Sequence, residues 1–262
     1  MAEWSCSGLQ SRLRRFDSDP SLSPNVIPAD SFPGVDVSSS HERQLTGGVP
    51  RRSAMSSITQ HEPFACPVVG VVIAGGRSVR FGGEKAVALL AGTPLLLWAT
   101  RRLQRSCRTV AVSARPGTQT AALARAQGLR VLRDAPGDAA GPLAGVKAAL
   151  SWAQDLGVGA LAVSPCDAPL LPDELFPRLI SCSSGRAAMA ETADGPQPLC
   201  AVWPTSALVR VANALAAGAH PPMWSVLESI GAVRVRFEDA AAFANVNTRE
   251  DLAAIAARLE VP

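Results

Sequence analysis

The sequence predicts an α/β fold: a Rossmann-like layered sheet of mainly parallel strands with helices on both faces, preceded by a disordered N-terminal tail. Three observations predict it. From Pro67 onward, short β-branched apolar runs alternate with longer stretches of helical period. The first of these runs ends in a glycine-rich loop, AGGRSVRFGGEK over 74–85, as a buried parallel strand feeding a binding loop would. Residues 1 to about 64 are rich in Ser and Pro, carry charges of both signs and lack apolar periodicity. Such a segment cannot bury enough apolar surface to offset chain entropy. The expected division is an extension over 1–64 and a folded domain over 65–262.

Each element has its own warrant. Val68 to Ala74 is the first strand. Pro94 opens a helix, PLLLWATRRLQRS, with one apolar face and arginines in its last turns. Thr109 to Ser113 and Arg130 to Leu132 are strands, the latter followed by Asp134. Gly141-Pro142-Leu143 begins an Ala-rich helix to about Leu156. Leu161 to Val163 is a further strand that runs out at Ser164-Pro165-Cys166-Asp167, and Pro172 starts a helix through Ile180. In the less regular second half, Ala187 to Glu191, Pro198 to Trp203 and Val233 to Phe237 are expected as strands, with helices at 205–217, 222–230 and 248–260.

Composition excludes several function classes. A net charge of +3 over 262 residues announces no basic surface for nucleic acid, so an acidic ligand has to be met by local cations. Cys6, Cys66, Cys107, Cys166, Cys182 and Cys200 include no CxxC pair, which suits free thiols in a reducing cytoplasm. His41, His61 and His220 are remote from them in sequence, against a zinc site. No apolar run approaches the roughly 20 residues of a membrane helix. Arg12, Arg14 and Arg15 precede no apolar stretch, and Asp17, Asp19 and Asp30 argue against an import peptide.

The glycine loop is the strongest chemical signal. Successive backbone N–H groups in such a loop form an anion-binding concavity, a following helix N-terminus adds a positive dipole, and Arg77, Arg80 and Lys85 supply charge. GxxxxGK[ST] fails, because Ala86 follows Lys85; GxGxxG fails, because Gly75 and Gly76 are adjacent. Asp167, just past a strand's carboxyl end, can hold Mg²⁺ there, or serve as a helix cap or a solvated loop acid. Asp173 and Glu174 read as dipole partners in a helix's first turn. Cys166 reads as a small buried residue rather than a nucleophile. Asp134, taken alone, reads as a turn acid before Pro136. Asn245 and Asn247 flank Val246, so their side chains share one side of an extended segment, facing a ligand or forming a turn ahead of Thr248.

AGGRSVRFGGEK resembles the LAGGxSxRMGxxK signature of nucleotidyltransferases with the nucleotide-diphospho-sugar transferase-like fold, with Phe81 for the commoner Met. Further marks follow in order: Gly92-Thr93-Pro94-Leu95, Asp134, GPLAG at 141–145, PCDAPLL at 165–171, Asp194-Gly195 with Pro198-Leu199, and FANVNTREDL at 243–252. The set, spanning about 67 to 260, most closely resembles the molybdenum cofactor guanylyltransferases. The resemblance implies transfer of GMP from GTP to molybdenum-molybdopterin. It also implies Mg²⁺ on Asp167, and catalysis by Arg80, Lys85 and Asp167. Nucleotide contacts would come from Ile73, Ala74, Gly75, Gly76, Lys85, Ser113, Asp134 and Asp167, although some relatives carry Asn at the place of Ser113. Asn245 and Asn247 would grip the pterin. Molybdenum-insertion proteins and recipient molybdoenzymes are candidate partners; nucleic acid and membrane are not. In this family the AGG form accompanies guanine and AAG cytosine, so Gly75 favours GTP. The competing readings are a cytidylyltransferase or other NTP-transferase of the same fold, and a non-catalytic GTP-binding protein.

Overall fold

In the computed structural model, residues 67–76, 79–135, 141–216 and 221–259 are described. The expected tail over 1–64, together with Arg77 and Ser78, lies outside them. The first strand, β1 (Val68–Ile73), is buried along nearly its whole length. A strand covered on both faces needs a continuous apolar run, and VVGVVI is one. Short 3₁₀ turns follow at Val79–Phe81 and Lys85–Val87, then a small hairpin, β2 (Leu89–Leu90) and β3 (Thr93–Pro94). The expected helix directly behind the glycine loop is therefore replaced by turns. The first α-helix, α1 (Leu95–Gln104), begins only after the hairpin, with Pro94 before it.

Next come β4 (Val110–Ser113), α2 (Gln119–Ala126) and β5 (Arg130–Leu132). The sequence reading assigned no helix between Ser113 and Arg130. Thr118 caps α2, its hydroxyl accepting from the Ala121 N–H. Then follow α3 (Pro142–Asp155), β6 (Ala160–Pro165) and α4 (Leu175–Ser183). Helix α4 starts three residues beyond Pro172, and Asp173, ahead of it, pairs with Arg105 and lies near Arg102. Asp173 is thus an ion-pair partner rather than a helix-dipole partner. The chain closes with β7 (Ala188–Thr192), β8 (Gly195–Pro204), α5 (Leu208–Ala216), α6 (Met223–Ser229), β9 (Val233–Arg236) and α7 (Arg249–Leu259).

The main sheet has the order β5-β4-β1-β6-β8-β7-β9. Only β8 runs against its neighbours; β5, β4, β1 and β6 are mutually parallel, and β9 is parallel to β7. From β1 the chain moves outward to β4 and β5, recrosses to β6, then leaves β6 in the other direction. The loops after β1 and β6 therefore diverge between adjacent strands, where open α/β sheets bind ligands.

Helices cover both faces. On one face, Leu96 and Leu103 of α1, Ala121 of α2 and Phe176 of α4 share a buried cluster with Val72 and Val112 of the sheet. On the other, Leu150 of α3, Val211 of α5 and Leu227 of α6 share a buried cluster with Val71, Val163 and Trp203. A third cluster of Phe81, Leu90, Leu95, Val246 and Ile255 joins the glycine loop, the hairpin and the C-terminal segment. Among the described residues no helix is long and apolar enough to cross a membrane.

Helix α3 approaches the sheet closely at Gly145. A Cβ there would lie 2.5 Å from the Ser113 Oγ and 3.2 Å from the Ile73 Cδ1. Gly145→Ala is expected to lower stability by about 1–3 kcal/mol through overpacking, read from the urea midpoint. Adding Ser113→Ala should recover part of the loss. An unchanged midpoint would show that α3 shifts freely.

Candidate active site

A cavity of about 690 Å³ opens at the carboxyl ends of β1, β4 and β6. That is ample for a nucleotide-sized ligand. Ile73, Ala74, Gly75 and Gly76 line it from the end of β1, and Arg80 and Lys85 from the loop beyond. Ser113, Asp134, Asp167 and Asn247 complete the set expected from sequence. Asn245 is the exception. It is exposed and does not line the cavity, whereas Val246 beside it is fully buried. At Gly75 an added Cβ would meet no protein atom within 4 Å.

Lys85 draws three segments together. Its Nζ donates to Asp167 Oδ2 at 2.7 Å, to the Val246 carbonyl at 2.7 Å and to Asn247 Oδ1 at 3.2 Å. The Lys85 and Asp167 side chains are only 13% and 22% exposed, so the pair is well shielded from solvent. The Val246 N–H in turn donates to the Asp167 carbonyl at 2.7 Å. The segment carrying Asn247 is thereby fixed to both the glycine loop and the end of β6.

Several contributors were not expected from sequence. Glu84 lines the cavity and accepts from Gln119 N, Thr120 N and Thr120 Oγ1 at the start of α2. No helix was expected there, so nothing marked its partners. Asp251 is the more legible omission, since Thr248-x-x-Asp251 has the spacing of a capping box. Asp251 Oδ2 accepts from the Asn247 and Thr248 N–H groups, and Thr248 Oγ1 accepts from the Asp251 N–H. Arg102 supports the loop after Asp167 by donating to the Pro169 carbonyl at 3.1 Å. Burial acts to lower its pKa, and the nearby Asp173 opposes that. Burial pushes the Cys166 thiol up to about 12, with Asp167 adding to the effect, so it is no nucleophile at neutral pH.

The donor set fits a magnesium ion carried in with a nucleotide. Among the described residues no group of three or more His, Cys, Asp or Glu side chains is arranged to hold a metal. Asp167 offers a single carboxylate in the cavity. Mg²⁺ characteristically takes one or two carboxylates and completes its shell with phosphate oxygens and water.

The MobA-like NTP transferase domain family matches residues 70–233. A molybdenum cofactor guanylyltransferase of Cereibacter sphaeroides is 40% identical over 185 residues, covering 70% of this chain and 93% of the relative. Another from Burkholderia vietnamiensis is 38% identical over 202 residues, covering 73% and 96%. Among solved structures, the molybdopterin-guanine dinucleotide biosynthesis protein A of Archaeoglobus fulgidus superposes with a TM-score of 0.59 at 22% identity, over 73% of this chain and 98% of that one. A 2-C-methyl-D-erythritol 4-phosphate cytidylyltransferase of Thermus thermophilus gives 0.55 at 18% identity, over 73% and 98%. Both structures share the fold.

Asp251 yields a pH dependence. The N–H groups of Asn247 and Thr248 hold its carboxyl below the ordinary aspartate value of 3.8, against a small opposing effect of burial. A depressed folded-state pKa gives stability that is present above the unfolded value and lost as pH falls through the folded one. The urea midpoint should therefore drop as pH falls below the ordinary aspartate value of 3.8. Asp251→Asn should flatten that decline; an equally steep decline would remove Asp251 from it.

Proposed function

The chain belongs to the MobA-like NTP transferase family, and we infer that it is, within that family, a molybdenum cofactor guanylyltransferase. It transfers GMP from GTP to the terminal phosphate of molybdenum-molybdopterin, giving the guanine dinucleotide form of the cofactor and pyrophosphate. The observation that carries the site assignment is the meeting of Lys85, from the glycine loop, with Asp167, from the end of β6, inside one cavity.

An oxygen of the cofactor's phosphate forms a bond to the α-phosphorus of GTP. The bond from that phosphorus to the α–β bridging oxygen breaks, and pyrophosphate departs with the electron pair. The attacking phosphate is already ionised near neutral pH, so the step needs no general base. What the protein supplies is alignment and charge neutralisation. The backbone of Ala74, Gly75 and Gly76 receives the nucleotide, with Ile73, Ser113 and Asp134 along the same wall. Lys85, Arg80 and Asn247 also line the cavity; on this reading the two cations serve the phosphates and Asn247 serves the acceptor. Asp167 would hold Mg²⁺, which when bound offsets negative charge on the phosphates. Asn245 stands outside the cavity, so a pterin contact from it requires an acceptor that extends beyond the cavity rim. On this reading the partners are proteins that insert molybdenum and enzymes that receive the finished cofactor, in the cytoplasm.

Two substitutions test the reading. Asp167→Asn should lower Mg²⁺-dependent pyrophosphate release by about a hundredfold or more, the usual scale for losing one charge stabiliser. The protein should stay folded by circular dichroism. Near-normal turnover at millimolar Mg²⁺ would take Asp167 out of the mechanism.

Gly75→Ala addresses the base. Its methyl would project where no protein atom lies within 4 Å, so the fold should tolerate it. A single methyl in a pocket discriminates by about 1–3 kcal/mol, so the GTP:CTP ratio of kcat/KM should fall roughly ten- to two-hundredfold, mainly by weakening GTP. An unchanged ratio would mean that guanine is chosen elsewhere.

A further inference from the structure

We propose that Glu84 is a positioning residue: its carboxylate fastens the end of the glycine loop to the start of α2 and so holds the neighbouring Lys85 on its acceptors in the cavity. The inference rests on the role given to Lys85 above and extends it to a residue that makes no contact with Lys85's acceptors.

The geometry is specific. Glu84 Oε1 accepts from Gln119 N at 2.9 Å, and Oε2 accepts from Thr120 N at 2.7 Å and Thr120 Oγ1 at 2.6 Å. Glu84 occupies the cap position of the 3₁₀ turn Lys85–Val87, yet its side chain makes no capping bond to that turn. Its carboxylate is turned instead to a helix start some 35 residues further along the chain. Partial burial acts to raise its pKa, but the Thr120 and Gln119 donors and Arg115 outweigh that and keep it below the ordinary value. The carboxylate is therefore ionised at neutral pH, and charge-assisted bonds of this kind are the strong ones.

Lys85 thus sits between two anchors of different kinds. Ala86, on one side, is buried in the core under α1. Glu84, on the other, follows Gly82 and Gly83, both exposed and with open space where a Cβ would stand. Glu84 is accordingly the polar tie on the glycine side of the lysine. The same bonds bear on where a phosphate can sit. With Thr118 taking the Ala121 N–H, the first three N–H groups of α2 are already satisfied. Thr118 and Thr120 line the cavity, but that helix end offers no unpaired first-turn donor to compete with the glycine loop for the triphosphate.

The test is a double-mutant cycle in the full chain, measuring kcat and KM for GTP with molybdenum-molybdopterin and Mg²⁺, alongside Tm. Glu84→Ala should lower kcat about tenfold while moving KM for GTP less than about threefold, the pattern of a group acting in the transition state. Glu84→Gln keeps the shape and one acceptor oxygen and should lose only about threefold. In a Lys85→Ala background, Glu84→Ala should cost less than about twofold further, because coupled residues are not additive. Tm should shift equally in both backgrounds.

If Glu84→Ala does not fold, Thr120→Val removes one donor at nearly constant shape. It should lower kcat about two- to threefold, again only when Lys85 is present. Losses that multiply in the double variant would overturn the coupling and leave the role of Lys85 standing. A wild-type rate for Lys85→Ala would overturn that role and this inference with it. A native chain that releases no pyrophosphate would overturn both along with the functional reading.

Discussion

The site depends on one ammonium group. Lys85 reaches groups from two other parts of the chain: a carboxylate, a main-chain carbonyl and a side-chain amide. A cation this well shielded is tolerable only when paired and fully hydrogen-bonded. Satisfying that requirement forces the end of β6 and the segment before α7 to converge on the glycine loop. The glycine loop and the segment that carries Asn247 thus meet at one residue. Moving Lys85 disturbs both at once.

The surrounding fold makes this convergence inexpensive. The parallel core strands are buried on both faces, so their positions are set by helix packing as well as by the ladder. Diverging connections from β1 and β6 then open a crevice without any break in the sheet. The third cluster, from Phe81 to Ile255, gives the C-terminal segment its own apolar seat, so Val246 reaches the site with its side chain buried and its carbonyl available to Lys85. Hydrophobic burial of this sort is non-directional. The hydrogen bonds at Lys85 and Asp167 supply the direction.

What was legible in the sequence follows from how local each signal is. The buried strands were visible as unbroken apolar runs, and Asp167 as the acid beyond one of them. Lys85 was visible through the glycines around it. Glu84 was not, because its partners belong to α2. That helix is short and alanine-rich, and its only clear signal is the capping Thr118. The two asparagines looked equivalent by period, and the expectation that they share a side was reasonable for an extended segment. Their roles separate because Lys85 engages one of them, a contact across 162 residues that no local pattern encodes. Asp173 was misassigned for a similar reason. Its position before a helix suggested a dipole partner, while Arg102 in α1 and Arg105 just beyond it are distant in sequence.

The pairing of β1 with β6 has a mechanical consequence. Val72 sits opposite Ser164 and Ile73 opposite Pro165, so the ladder runs to the last residue before each loop. The interstrand distance of about 4.8 Å therefore acts as a ruler between the glycine loop and the loop that carries Asp167. It is set by main-chain bonds that side-chain variation barely touches. The segment carrying Asn247 has no such gauge: it hangs from the Val246 N–H on the Asp167 carbonyl, from the Lys85 ammonium on the Val246 carbonyl and the Asn247 side chain, and from a patch of apolar contact. One side of the cavity is thus built like a frame and the other like a hinged panel, and a change in what the cavity holds would be absorbed at the panel.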